Sequence, residues 1–513
     1  LKQELLQLEQ QRAHHIFEQE KLPIINATPE EILRISQINP KLFGKKYVRW
    51  GCHYKCKKCN YQVISGGKRS LLEISRGINE TKYLHRQYCK NPRWDEKWSL
   101  HAAEIDHDFT DVGAPRTHTG DTNFTAISGA TIASGNFSVG RKYLLITSTW
   151  ANVTNSSTVL GIKTRHGTTD FAESIFFHEG RTSATYKKRG WFTVWTAVSG
   201  EDINLQHNLS QSAQTLTSDI ITLTSIEISE DLNEGTDWDF NHDSSSRALT
   251  TSFVADASVT VQTADHDSGD TYLVMAYGRI SADADLAVEN ESRLARSGEA
   301  TSTEPTMMQE GEDVTDFQNH LHFRTFDLGA SDNTFALEAR MEAGSGNDIT
   351  HSSVFAINLE KFKVSNEAYT EANINLTETD WATLAQSLTL NLTGEAAARD
   401  TLIIGSFIGD IENLSRIIQA RLQVDNVDQP TGQTARTVQI GGQDSDDQLN
   451  HHHITLRNLS AASHTFDLDS DVNNTDSTPH DQSRQLVAFT MELAAAAPTL
   501  KRHIAPQNVS LKI

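Results

Sequence analysis

The chain has 513 residues, a formal net charge of −22, a pI near 5.4 and 37% apolar residues. A helical membrane span is excluded, because no run approaches the ~18–20 apolar residues a crossing needs, and grouping of the apolar residues into short runs argues against a disordered chain. Charge is unevenly divided: residues 1–100 hold 19 Lys+Arg and 10 Asp+Glu, the remainder 26 and 57, so a basic segment precedes an acidic body that would repel nucleic acid.

Leu1 to Glu20, with Leu5, Leu6, Leu8 and Ile16 among Glu, Gln and Lys, reads as a helix that Pro23 ends. Thr28-Pro29-Glu30-Glu31 starts a second: Thr28 as N-cap, Pro29 at the first position, Glu31 three residues after the cap. All four cysteines follow, at positions 52, 56, 59 and 89. Two residues separate Cys56 from Cys59, the spacing at which a tight turn brings two thiolates to one metal. Ser70 to Tyr88 reads as a helix on which His85 and Cys89, four apart, share a face. Cys56, Cys59, His85 and Cys89 are therefore the candidate ligands of a structural zinc ion, with Cys52 as the alternative ligand. No open coordination position remains, so the metal would staple a segment poor in large apolar residues. Lys55, Lys57, Lys58, Lys68 and Arg69 surround the site and form the candidate partner-binding face, for an acidic protein or, in this segment only, nucleic acid. Asn91 to Ala103, with Trp94 and Trp98, reads as a linker.

Beyond it one pattern is written three times. Tyr143-Leu144-Leu145-Ile146-Thr147-Ser148 returns as Tyr272-Leu273-Val274-Met275-Ala276-Tyr277 and as Thr401-Leu402-Ile403-Ile404-Gly405-Ser406. Each run precedes a glycine-bearing loop and a strand rich in aromatic or histidine residues (Trp191 to Trp195, His320 to Phe323, His451 to Ile454). Period-2 strands follow at Ile203, Phe335 and Phe466, and a last apolar strand at Ile221, Val354 and Leu486. About seven or eight short strands in ~130 residues predict a two-sheet sandwich, with Leu144, Ile146, Leu273, Met275, Leu402 and Ile404 on inner faces. The expected class is mainly β: three tandem β-sandwich, jelly-roll-like repeats after a small α-rich zinc-binding segment. Expected boundaries are a helical basic anchor at 1–103 with a zinc-finger-like module at about 47–92, repeats at 104–232, 233–372 and 373–496, and a tail at 497–513. Either three beads in a row or a compact cluster fits the pattern.

The repeat, with its small-residue turn and ending Ala461-Ala462-Ser463-His464-Thr465-Phe466-Asp467-Leu468, resembles jelly-roll domains of virion proteins of tailed phages. The resemblance spans roughly residues 104–496. It implies a virion location and a role in capsid decoration, a head fibre or a tail, with capsid or tail proteins as partners, a homo-oligomer or large symmetric assembly, and host attachment.

Other constellations carry less. Residues two apart on a strand share a face, so His320 with His322 and His451 with His453 could each hold a metal. Phe192 and Val194 fill the matching region of the first repeat, which favours ordinary packed or surface histidines. Asp467, Asp469 and Asp471, and Asp237, Asp239 and Asn241, alternate without the glycine-bearing loop of a calcium site, so calcium is a weaker cofactor candidate than zinc. Asn-x-Ser/Thr sequons are frequent, as chance predicts in a chain rich in these residues. No nucleophile elbow, phosphate-cradling glycine loop or HExxH is present, and a non-enzymatic protein is expected. The alternative to a virion structural protein is an extracellular carbohydrate-binding or adhesion protein, with Trp191, Trp195 and Tyr186 stacking on the sugars of a host-surface glycan.

Overall fold

The computed structural model describes residues 50–56, 62–68, 94–99, 105–112, 116–119, 122–153, 158–179, 187–281, 288–299, 306–309, 317–344, 346–375, 386–395, 398–410, 418–429, 448–472 and 480–494. The chain divides into two compact units, one of residues 1–104 with 492–513 and one of residues 105–491. The first unit holds 22 Lys+Arg and 12 Asp+Glu, a net of +10 with histidine neutral; the other holds 23 and 55, a net of −32.

In the first unit, β1 (Trp50–Cys56), β2 (Gln62–Lys68) and β3 (Trp94–Ser99) form an antiparallel sheet of order β2-β1-β3. This corrects two expectations. The described part of the anchor is β-structure rather than α-rich, and Trp94–Ser99 is a paired strand, not a linker. Alternation explains the second point: Trp94, Glu96 and Trp98 fall on one face of β3, with Trp94 opposite Cys56 and Trp98 opposite Cys52. The helices expected at 1–20, 28–39 and 70–88 lie outside the described residues.

The second unit is built of antiparallel strands; its described helices are three single 3-10 turns, at Ser134–Asn136, Ala172–Ser174 and Leu359–Lys361. Its first strand set is β4 (His107–Val112), β5 (Arg116–Thr119), β6 (Thr125–Ile132), β7 (Lys142–Val153), β8 (Val159–His166), β9 (Thr169–Asp170), β10 (Phe176–Glu179), β11 (Lys187–Thr196), β12 (Ile203–Leu209) and β13 (Thr215–Glu227). The second is β14 (Trp238–Asp243), β15 (Arg247–Ala248), β16 (Val254–Val261), β17 (Thr271–Ser281), β18 (Asn290–Arg296), β19 (Thr306–Gln309), β20 (Phe317–Asp327), β21 (Asn333–Met341) and β22 (Asp348–Asn358). The third is β23 (Ser365–Asn375), β24 (Gln386–Asn391), β25 (Arg399–Asp410), β26 (Ile418–Val424), β27 (Val427–Gln429), β28 (Gln448–Leu459), β29 (Ser463–Val472) and β30 (His480–Thr490).

Strand order is the same in every set. One sheet runs β11-β7-β13-β4, then β20-β17-β22-β14, then β28-β25-β30-β23; the other runs β10-β8-β12-β6, β19-β18-β21-β16 and β27-β26-β29-β24. The short β5, β9 and β15 are additions. Single-residue pairing of Met308 with Gln448 joins β19 to β28, so a sheet of the second set continues into one of the third. Local chemistry suits the connections: Asp425 and Asn426, at φ 52 and 63, make the two-residue turn between β26 and β27 that only residues tolerant of positive φ can adopt.

Apolar cores lie between the paired sheets. In the second set Tyr272, Val274 and Ala276 of β17 and Val354 and Ala356 of β22 pack with Val259 of β16, Leu294 of β18 and Phe335, Leu337 and Ala339 of β21. In the third, Ile403, Leu486 and Ala488 pack with Leu388, Leu390, Leu422 and Phe466. This overturns the predicted register. Leu273, Met275, Leu402 and Ile404 are the odd partners of these core residues and lie on the opposite face, yet are at most 2% exposed. A strand buried on both faces reads as a continuous apolar run, and periodicity then cannot say which face is inner.

Candidate functional site

The face opposite each core is covered by the other strand sets. Gly190, Leu321 and His452 are equivalent: they pair with Ser148, Tyr277 and Ser406, the sixth residues of the three repeated runs. These three residues meet. A Cβ added to Gly190 would collide with the His452 ring and come within 2.7 Å of Leu321 Cδ2. Equivalent positions of β11, β20 and β28 thus converge on one axis, filled by no side chain, a leucine and an imidazole. Around it the Gly190 N–H donates to Asn319 Oδ1 at 3.0 Å, and Phe323 lies 5.9 Å from the His452 ring and Phe192 6.4 Å from Tyr277.

Further contacts tie the sets pairwise. Between the first and second, Tyr277 Oη donates to Glu173 O at 2.6 Å and Arg279 to Ala172 O at 2.9 Å, while Trp238 Nε1 donates to Ile228 O at 2.6 Å. Between the second and third, the Thr325 N–H donates to Gln485 Oε1 at 2.8 Å and its hydroxyl to Glu367 at 2.7 Å. Between the third and first, Ile105 N–H donates to Met491 O at 2.9 Å and His107 Nε2 lies 3.1 Å from Asp400 Oδ2. No sequence reading singled out these residues. The one available signal was Gly190, a glycine where the other two copies carry large side chains.

Of the candidate zinc ligands, Cys52 and Cys56 lie on β1; Cys59, His85 and Cys89 lie outside the described residues. Cys52 and Cys56 share a face of an unbroken strand whose register with β3 is regular, Cys52 opposite Trp98 and Cys56 opposite Trp94. Lys55 is on β1 and Lys68 on β2; Lys57, Lys58 and Arg69 lie outside the described residues. Among the described residues no three His, Cys, Asp or Glu gather as a metal group.

The remaining candidates are largely committed to packing. Trp191 and Trp195 are 0% and 7% exposed, Trp191 beside Phe171 and Trp195 beside Phe137. This corrects their assignment as sugar-stacking surface aromatics; Tyr186 lies outside the described residues. His320 and His322 are buried, with Nδ1 of one and Nε2 of the other 2.7 and 2.8 Å from the Ser292 hydroxyl. Burial pushes His322 down to about 3, so it is neutral. Asp237 accepts from the Asn233 backbone and side chain and pairs with Lys361. Asn241 donates to Ser258 O. Burial raises Asp239 against the Phe240 N–H, and raises Asp469 against Arg421, which is 2.7 Å away. No described helix is long and apolar enough to cross a membrane.

No known family model and no curated protein matches the chain. Among solved structures it is similar to dimeric latent PorU from Porphyromonas gingivalis, at 7% identity and a TM-score of 0.17, over 50% of this chain and 24% of PorU. It is also similar to a chain of Sulfolobus turreted icosahedral virus, at 10% identity and a TM-score of 0.15, over 79% of this chain and 88% of the viral one. Superpositions this poor carry no argument about fold or function, which rests on the strand order and charge described above.

Proposed function

We propose that the chain is a non-enzymatic structural protein of a virion, anchored by its basic unit and decorating, cementing or projecting from the particle through three jelly-roll domains. The observation that carries this reading is the threefold recurrence of one strand order about a common axis. Eight strands in two four-stranded sheets whose neighbours are mostly non-sequential is the jelly-roll arrangement used by capsid and lectin domains. In this reading the three domains are the three strand sets, His107–Glu227, Trp238–Asn358 and Ser365–Thr490, and Gly190, Leu321 and His452 lock them together. Buried faces are spent on one another, which leaves loops and outer sheets as the working surface.

Opposite charge on the two units supports a division of labour. A unit of net +10 meets an acidic partner, most simply another capsid or tail protein, and a body of net −32 faces solvent and resists aggregation. Nucleic acid is a partner for the basic unit alone. Cys56, Cys59, His85 and Cys89 would hold the structural zinc, which when bound fixes the geometry of a segment with few large apolar residues. The carbohydrate-binding alternative loses Trp191 and Trp195 to the interior.

Co-sedimentation with native particles tests the reading. The protein is expected to travel with the particle and to be released by high salt, which at about 1 M screens exposed charges beyond ~3 Å. A protein that purifies free of particles and binds a glycan array contradicts it. Metal analysis is expected to find one zinc per chain, lost in Cys56→Ser.

A further inference from the structure

His107, on β4, sits where the first strand set meets the third. Its side chain is 2% exposed, and Nδ1 lies 2.7 Å from Ile105 O while Nε2 lies 3.1 Å from Asp400 Oδ2. A carbonyl oxygen only accepts, and so does an ionised carboxylate. A neutral imidazole has one N–H and one lone pair, so it satisfies one of these neighbours and turns a lone pair on the other; only the doubly protonated ring donates to both. Asp400 is also arranged as an acceptor, its Oδ1 receiving Asn458 Nδ2 at 2.6 Å.

We propose that His107 is a proton-dependent clasp that closes the first strand set onto the third. The backbone around it is the seam itself: Ile105 N–H donates to Met491 O at 2.9 Å, and Met491 N–H to Asp400 O at 2.7 Å. Charged groups on the surrounding strands engage neighbours of their own. Asp106 accepts from Tyr143, Asp108 from Asn136, and Glu227, which burial raises, from Ser229. Arg399 pairs with Glu395, and Arg457 donates to Gln429. Below the titration of the ring the clasp is closed. As pH rises through it, Nε2 loses its proton, a lone pair faces the carboxylate, and the seam loosens while the rest of the body stays folded.

Hydrogen–deuterium exchange of the full chain, normalised for intrinsic exchange, at about pH 5.5 and about pH 8.5 brackets the ordinary imidazole value. Peptides covering β4 and the start of β25 are expected to lose protection about tenfold at the higher pH, the effect of losing one charge-assisted hydrogen bond. Asp400→Asn, nearly isosteric, keeps an oxygen for Asn458 and turns an N–H on the ring, which a neutral Nε2 accepts, so it is expected to lose or reverse the pH dependence, with an unchanged cooperative melt of the body. Protection in the unmodified chain that does not change with pH overturns the proposal without any variant. So does an Asp400→Asn chain with the same pH dependence as the unmodified one.

Discussion

Two junctions of the body occupy equivalent positions and are built from different chemistry. Ile228 and Met491 each follow the last strand of a set and donate to the residue just before that set's repeated run, Lys142 or Asp400. Each carbonyl is then taken at or just before the first strand of another set: Ile228 O by Trp238 Nε1, Met491 O by Ile105 N. At the first, Lys142 lies 5.5 Å over the Trp238 ring; at the second, Asp400 faces His107. The chain itself runs through the first junction, from Ile228 to Trp238 in ten residues, and that contact is a packed indole with one hydrogen bond and a lysine over its ring, with no imidazole–carboxylate pair. The second joins residues almost 300 apart and rests on an ion pair. Where covalent connection holds two sets together, packing suffices; where the ring must close without it, a charge-assisted contact does the work, and a proton can undo it.

Breaking the two junctions separates them. Trp238→Ala removes a buried indole and should cost about 3–5 kcal/mol at any pH, read from denaturant unfolding. His107→Gln should cost about 1.5–3 kcal/mol, and only at pH values below the titration of the ring. Identical pH profiles for the two variants would erase the distinction. Tyr277→Phe, which removes the bond to Glu173 O, should cost about 1 kcal/mol. The smallest effect at neutral pH belongs to His322, and its sign is opposite to that of His107. Held neutral with its value near 3, against ~6.5 in the unfolded chain, it lets the unfolded state bind one more proton between those values. Stability therefore falls as pH drops through that window. His322→Gln, which keeps a partner for Ser292, should flatten this acid limb.

Much of the strand content was legible. Three apolar runs at a constant interval, each followed by the same order of blocks, located β7, β17 and β25 and their partners. The faces were not. Leu273 and Val274 are both buried, one against other sets and one in the core, and a sequence buried on both sides carries no alternation to read. Trp191 misled for a related reason: an aromatic beside polar residues looks the same whether its face meets solvent or another sheet. Trp94–Ser99 was missed because two tryptophans among charges resemble a linker until Cys52 and Cys56 are seen opposite them. Gly190 was visible as a letter but has meaning only beside Leu321 and His452, which are 131 and 262 residues away.

The central claim is that three equivalent strands converge on one axis where only glycine fits in the first. The direct measurement is a double-mutant cycle on unfolding free energy with Gly190→Ala, His452→Ala and both. Gly190→Ala alone should destabilise by about 1–3 kcal/mol through overpacking. Because His452→Ala vacates the space the new methyl needs, the double variant should be more stable than the sum of the single effects by ~1 kcal/mol or more. Additive effects, or a Gly190→Ala chain as stable as the original, would contradict the convergence of the three sets on that axis.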